Sequence, residues 1–279
     1  METQIIAYLL KVSLSFAVFY FLYLFCFRND TFLKLRRIYF LAIIVFSFVF
    51  PFINIELSEK QYNIIPEFLL PAVTISADGS IVESPETMTQ YMTGFSFQHA
   101  VLWIMVIVSA ILFTKLIIQI ISLVRLKRGL RQTIRYNCVH IYLENKSSSS
   151  FSFFNWIFLN TEEEGSNRDE IIIHEEEHAK QLHSLDVLLI ELVCIILWWN
   201  PFVWMIRREM KTNLEYLADR GVVNKGYDSY TYQYTLLQTI NNNAGIPLIN
   251  NFNVSQLKKR IAMMNKEKTS ILGSAKYLL

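Results

Sequence analysis

A chain of 279 residues that is 53% hydrophobic and only 18% charged is too apolar for an ordinary soluble domain. Its formal net charge of +2 excludes the electrostatic footprint of a protein that binds nucleic acid directly. The three cysteines, Cys26, Cys138 and Cys194, form no C-x-x-C pair, so neither a disulfide framework nor a cysteine zinc site is expected.

Three segments are apolar enough to cross a membrane, which takes about 20 residues. They cover residues 5–27, 38–54 and 100–124. The first is longer than the apolar centre of a secretory signal and is followed by Arg28, so we interpret it as a retained helix. We assign residues 1–124 to a transmembrane region and residues 125–279 to a second domain.

The charges between these segments predict their orientation. The loop before the second segment and the stretch after residue 124 are rich in Lys and Arg, whereas the 55–98 loop is acidic. Basic loops stay in the cytoplasm. We therefore expect a multi-pass protein of the bacterial inner membrane in contact with lipid. Its N-terminus and 55–98 loop would lie outside, and residues from 125 onward would be cytoplasmic.

The second domain has mixed secondary structure. VHIYLE (139–144) and the aromatic FSFFNWIFLN (151–160) are each predicted as one strand. A long helix is predicted over residues 168–199, capped by Ser166 or Asn167. NVSQLKKRIAMMNKEK (253–268) predicts a short amphipathic helix.

His174, Glu175 and His178 spell H-E-x-x-H within the predicted long helix. Histidines four apart lie on one helix face, so both imidazoles can reach one metal ion. Glu175 is then placed to take a proton from water. A solvated acidic turn is the alternative, but apolar residues flank the motif on both sides, which such a turn does not need.

A catalytic zinc ion usually has three protein ligands, and Glu215 is the candidate for the third. Asp219 follows one helical turn later and could accept an N–H bond from one of the histidines. Glu191 and Glu209 are the competitors. Glu191 lies on the motif helix itself, and Glu209 lacks a paired aspartate.

Glu215 can meet the histidines only if the apolar stretch between them returns to the same side of the membrane. Asn200–Pro201 breaks that stretch, so we predict a hairpin over residues 185–206 that dips into the membrane. From His178 to Asn200 a straight helix rises about 33 Å, whereas the returning arm to Glu215 rises about 21 Å. We therefore expect a mismatch of about two turns. The predicted fold is a mostly α membrane protein: three N-terminal transmembrane helices and a cytoplasmic α+β zincin-like domain that carries this hairpin.

Three further residues could act near the substrate. Ser152 and Asn155 would lie beside the cleft if 151–160 is a sheet edge that binds an extended peptide; an ordinary core strand is the alternative. His183 lies about 140° from His178 around one helix, so it is not a fourth ligand. It would form a polar collar or orient a ligand or substrate. His183 and Tyr216 are candidates for the oxyanion donor.

Several segments in this order resemble the BlaR/MecR family of membrane zinc peptidases over residues 125–270: apolar spans before H-E-x-x-H, then FSFF…WIF, HSLD, WWNPFVW, LEYLAD and LKKRIAMMNK. The resemblance implies a gluzincin-like site with Zn²⁺ on His174, His178 and Glu215 and with Glu175 as base. It also implies a signal transducer that cleaves itself, a cytoplasmic repressor or both. Antibiotic sensors of the family carry a further span and a penicillin-binding domain at the point where this sequence ends, and no S-x-x-K of such a domain is present, so β-lactam sensing is not expected. The chain is either truncated there or a relative with a different input.

Two other functions remain open at this point. One is a housekeeping membrane metalloprotease of the HtpX or CAAX-protease type, which also places H-E-x-x-H beside spanning helices. The other is a signalling scaffold whose metal only holds the fold. The expected partner is a cytoplasmic repressor or another protein substrate, and the oligomeric state is left open.

Overall fold

The computed structural model describes residues 2–53, 97–130, 132–136, 139–144, 150–160, 168–242 and 247–270, together with Gly273 and Tyr277. Most of the predicted 55–98 loop, the suggested helix caps Ser166 and Asn167, and Cys138 lie outside these residues. The described part is mostly helical and contains one small sheet.

Three helices correspond to the predicted spans. They are α1 (Glu2–Leu22), which continues as a π-helical turn over Tyr23–Phe27; α2 (Leu33–Val49), which ends in a 3₁₀ turn over Phe50–Phe52; and α3 (Phe97–Gly129). Segments Gln4–Phe27, Leu33–Phe52 and His99–Gly129 are long and apolar enough to cross a membrane. The second one begins five residues before its predicted start, because the helix already includes the basic stretch around Arg36 and Arg37.

The sheet has four strands in the order β1 (Gln132–Tyr136), β2 (Val139–Glu144), β4 (Trp156–Asn160) and β3 (Phe151–Phe153). β2 and β4 pair in parallel, and β3 pairs antiparallel with β4 at the sheet edge. The single strand predicted over 151–160 is wrong, because the chain reverses at Phe154, whose φ is 52°. The Phe154 N–H donates a hydrogen bond to the Ser184 hydroxyl at 2.8 Å, which connects this turn to the helix that contains Ser184.

The single helix predicted over 168–199 is also wrong. It divides into α4 (Arg168–Lys180) and α5 (His183–Ile196), with Leu182 in the left-handed region at φ 54°. Arg37 of α2 stabilises this corner: its Nη2 donates to the Gln181 carbonyl at 2.8 Å, and its Nε lies 2.6 Å from the Asp186 carboxylate.

The corner removes the expected mismatch between the hairpin arms. α5 begins only at His183, so it rises about 20 Å to Ile196, close to the rise of about 21 Å in α6 (Pro201–Asn224) from Pro201 to Glu215. Asn200 caps α6 by accepting the Phe202 N–H at 2.9 Å. The two arms share an apolar core with α1 and α2, whose fully buried members include Phe16, Phe40, Ile190, Val203 and Ile206.

The last two helices, α7 (Ser229–Asn242) and α8 (Pro247–Met264), pack against each other, and α8 packs on α6. The helix predicted from 253–268 is thereby confirmed, although it begins earlier. Helix α4 packs against α6 and against the strands β3 and β4. The motif helix is therefore supported by both the sheet and α6.

Gly221 of α6 lies against the side chain of Glu177 on α4. A Cβ atom there would lie 2.3 Å from Cγ of Glu177. We expect Gly221→Ala to lower the free energy of unfolding by about 1 kcal/mol, since displacing Glu177 outweighs the better helix propensity of alanine. In a Glu177→Ala background the clash is gone, and the same substitution is expected to stabilise by about 0.5–1 kcal/mol. Thermal unfolding of the four purified proteins in detergent measures this, and equal shifts in both backgrounds would contradict it.

Candidate metal centre

Helix α4 holds the H-E-x-x-H residues in a buried position, with His174 and Glu175 each less than a tenth exposed. One helical turn separates the two histidines, and their Nε2 atoms are 3.3 Å apart. Glu215 reaches them from α6: its Oε2 is 3.5 Å from Nε2 of His174, and its Oε1 is 3.6 Å from Nε2 of His178. The hairpin therefore brings all three predicted ligands together, with one ligand atom of each within 4.8 Å of the others.

This arrangement fits a metal ion by both chemistry and spacing. Two imidazoles and one carboxylate are a donor set that zinc uses in catalytic sites. Ligand atoms about 2.0–2.1 Å from a tetrahedral ion lie about 3.3 Å from each other, which is close to the three separations measured here.

The protonation states of two of the three candidate ligands also suit a metal. The exception is His174: burial lowers its pKa, but the hydrogen bond to Glu215 and the nearby carboxylate charges outweigh burial and raise it above its ordinary value. Burial raises the pKa of Glu215, but the Arg260 charge and the hydrogen bond to His174 outweigh it and hold that pKa well below its usual range. Burial lowers the pKa of His178. The carboxylate is thus anionic and the His178 ring neutral at physiological pH, which are the forms that bind metal.

The competing carboxylates are occupied elsewhere. Glu191 accepts hydrogen bonds from Arg207 at 2.7 Å and Lys211 at 2.8 Å, which joins the two hairpin arms. Glu209 accepts a hydrogen bond from the Tyr23 hydroxyl at 2.9 Å, on the side of α6 that faces α1. The geometry thus favours Glu215 over both.

Asp219 lies behind His174, with its Oδ1 3.4 Å from Nδ1, but a tyrosine makes the closer contact. The Tyr232 hydroxyl is 2.8 Å from Nδ1 of His174 and donates to Oδ1 of Asp219 at 2.8 Å. A hydroxyl that donates to Asp219 can accept the Nδ1–H of His174, which leaves Nε2 of that ring free as a ligand. The sequence analysis missed Tyr232, because no spacing motif distinguishes it from the other tyrosines of α7.

His183 contacts the motif, contrary to the distance expected on a straight helix. Because the chain turns at Leu182, Nδ1 of His183 comes within 2.9 Å of Nδ1 of His178. Burial, followed by the charges of His178 and Arg37, lowers the pKa of His183 to about 3, so its ring is neutral. This contact agrees with a role in orienting a ligand.

The site opens into a cavity of about 570 Å³ between the sheet edge and helices α4 to α8. Ser152 on the edge strand β3 lines it, as do Glu175 and His183. Asn155 is exposed in the turn after β3 and is not among the lining residues. Tyr216 is not among them either, since it packs with Leu33, Leu214 and Leu217.

A cluster that can hold a metal in a cleft beside the edge strand of a sheet is typical of metal-dependent peptidases. Residues 157–264 match the family model of the BlaR1 peptidase M56, which is a family of metallopeptidases. The resemblance found in the sequence is thereby confirmed. No curated protein matches the chain. Together with the family, the three apolar helices indicate a membrane protein.

Proposed function

We propose that the protein is a membrane-embedded zinc metalloendopeptidase that acts in signal transduction. The convergence of His174, His178 and Glu215 on one point carries the proposal. These residues would hold the ion, which, when bound, polarises the scissile carbonyl and makes water a better nucleophile. Glu175, which lines the same cavity, would take the proton from water and pass it to the leaving amine.

The edge strand β3 would bind the substrate. Its outer side is not paired with another strand among the described residues, and it packs against α4, which carries the motif. An extended peptide can add to such an edge through main-chain hydrogen bonds. Ser152, in the middle of β3, would then lie beside the scissile segment.

The different exposure of the two faces of α5 supports a hairpin that dips into the membrane. One face of α5 packs into the core shared with α1 and α2. The opposite face exposes a stripe of large apolar side chains at helical spacing, Leu185, Leu189, Leu192 and Ile196. Such a stripe is expected to face lipid. We infer from the basic loops that the site lies on the cytoplasmic side of a bacterial inner membrane, with the N-terminus outside.

The match of residues 157–264 to the BlaR1 peptidase family is the support for the signalling role. The proposed substrates are the protein itself and a cytoplasmic transcriptional repressor. Following repressor fragments in cells with and without the protein would separate this role from that of a housekeeping protease, which leaves the repressor intact.

Metal removal tests the catalytic proposal. The full chain, purified in detergent and loaded with zinc, is expected to bind about one ion per chain and to cleave itself or a peptide mixture. A chelator should stop the cleavage because it removes the ion. Added zinc should restore the cleavage, because the three ligand residues of the protein are still in place. Elemental analysis and mass spectrometry of the fragments measure both. A zinc-treated chain without bound metal, or cleavage that continues in the chelator, would contradict the proposal.

A further inference from the structure

Most of the segment LKKRIAMMNK (257–266) forms the last turns of α8, which ends at Met264, and Leu257 and Arg260 line the cavity of the metal centre. Lys258 and Lys259 are exposed, whereas Arg260 extends into the cavity toward α6. We propose that Arg260 is a positioning residue, which fixes the carboxylates of Glu215 and Asp219 in the orientation that the metal site requires. The inference rests on the proposed function.

The contacts of Arg260 use three of its nitrogens. Nε donates to Oδ2 of Asp219 at 2.9 Å, and Nη2 donates to Oδ1 of the same carboxylate at 2.5 Å. The third nitrogen, Nη1, lies 3.1 Å from Oε2 of Glu215. A planar guanidinium can bind one carboxylate with two parallel bonds and still direct a third donor elsewhere. One rigid group therefore fixes the relative placement of both acids.

Each of these acids is connected to a histidine. Glu215 faces His174 and His178 directly. Asp219 holds the Tyr232 hydroxyl, which contacts Nδ1 of His174. Arg260 thus acts on the site by two routes, through the proposed carboxylate ligand and through the partner of one imidazole. Side chains that hold ligands in place in this way contribute to metal affinity.

The charges explain why a cation is needed at this position. Glu215 and Asp219 are four residues apart on one face of α6, and like charges at this spacing repel. Asp219 is almost fully buried, with its side chain 1% exposed, so solvent does not screen it. Arg260, whose side chain is 17% exposed, lies between the two carboxylates and neutralises their repulsion.

A purely structural role for Arg260, docking α8 onto α6, predicts a different result. Loss of docking would lower the unfolding temperature of the metal-free protein and leave the dissociation constant for zinc in the folded protein unchanged. Loss of positioning weakens zinc binding itself. Zinc affinity, measured by competition with a chromophoric chelator, therefore distinguishes the two roles without any activity assay.

The experiment compares Arg260→Gln, Arg260→Lys and the control Lys259→Gln in the full chain in detergent. We expect both Arg260 variants to bind zinc about 10- to 100-fold more weakly than the wild type, and the control to bind it equally well. Lysine keeps the charge but cannot bridge both acids, so it should not rescue affinity. If Arg260→Gln fails to fold, Arg260→Lys, which keeps the stem and the charge, decides the question.

Wild-type zinc affinity in Arg260→Gln would overturn this inference and leave the proposed peptidase function intact. Full rescue by Arg260→Lys would overturn it as well, since charge alone would then be sufficient. A wild-type chain that binds no zinc would overturn the proposed function and this inference with it.

Discussion

Replacing Glu175 with glutamine is expected to lower kcat for peptide cleavage by about 100- to 10,000-fold. The amide has nearly the same shape as the carboxylate but cannot take a proton from water. The three proposed ligands, His174, His178 and Glu215, are unchanged, so the variant should bind as much zinc as the wild type. Steady-state cleavage of a peptide substrate and elemental analysis of the same preparation measure the two quantities.

The matched control for this variant is Glu177→Gln. It makes the same chemical change two residues further along α4, where the side chain faces Gln181 and Lys225 instead of the cleft. We expect this control to retain kcat within about twofold, because no group in the reaction depends on it. Wild-type kcat in Glu175→Gln would mean that another group is the base, and a signalling scaffold would keep signalling with this substitution.

Replacing Glu215 with alanine should weaken zinc binding by at least about 100-fold, because the loss of an outer partner alone costs 10- to 100-fold. The substitution removes one of three donors and leaves two imidazoles on one helix face, which is fewer than a catalytic zinc site uses. Arg260 keeps its two bonds to Asp219, so we expect the variant to fold. Chelator competition gives the affinity, and cleavage should be lost in parallel.

Glu209→Ala is the comparison variant for this prediction. Glu209 lies six residues earlier on the same helix and was the rival ligand by sequence, but its carboxylate bonds the Tyr23 hydroxyl. We expect it to bind zinc with wild-type affinity. Loss of zinc in Glu209→Ala with retention in Glu215→Ala would show that the hairpin has a different register from the one described here.

The parts of the fold that could be predicted from sequence depend on local rules. Long apolar runs identify α1, α2 and α3, and Asn200–Pro201 identifies the hairpin turn, because proline and an asparagine cap act on their immediate neighbours. Glu215 and Asp219 could be predicted as a pair because residues four apart lie on one face of a helix, and this spacing can be counted in the sequence.

The parts that could not be predicted depend on contacts between distant segments. The residues around Leu182 do not indicate a helix break, since none of them is glycine or proline. The corner is instead stabilised by the Arg37 side chain, which comes from another helix. Phe154 similarly takes a positive φ without a glycine. Tyr232 and Arg260 reach the site from helices whose patterns are only amphipathic, so their roles become visible when α7 and α8 are packed against α6.

The double contact of Arg37 has a mechanical consequence. Its backbone belongs to α2, a helix apolar enough to lie in a bilayer, while its guanidinium holds the carbonyl that ends α4 and the carboxylate of Asp186 on α5. A sliding or tilting of α2 must therefore either pull the end of the motif helix along or break a half-buried ion pair. A movement of α2 is thus transmitted through a single side chain to the end of the helix that carries two of the proposed metal ligands.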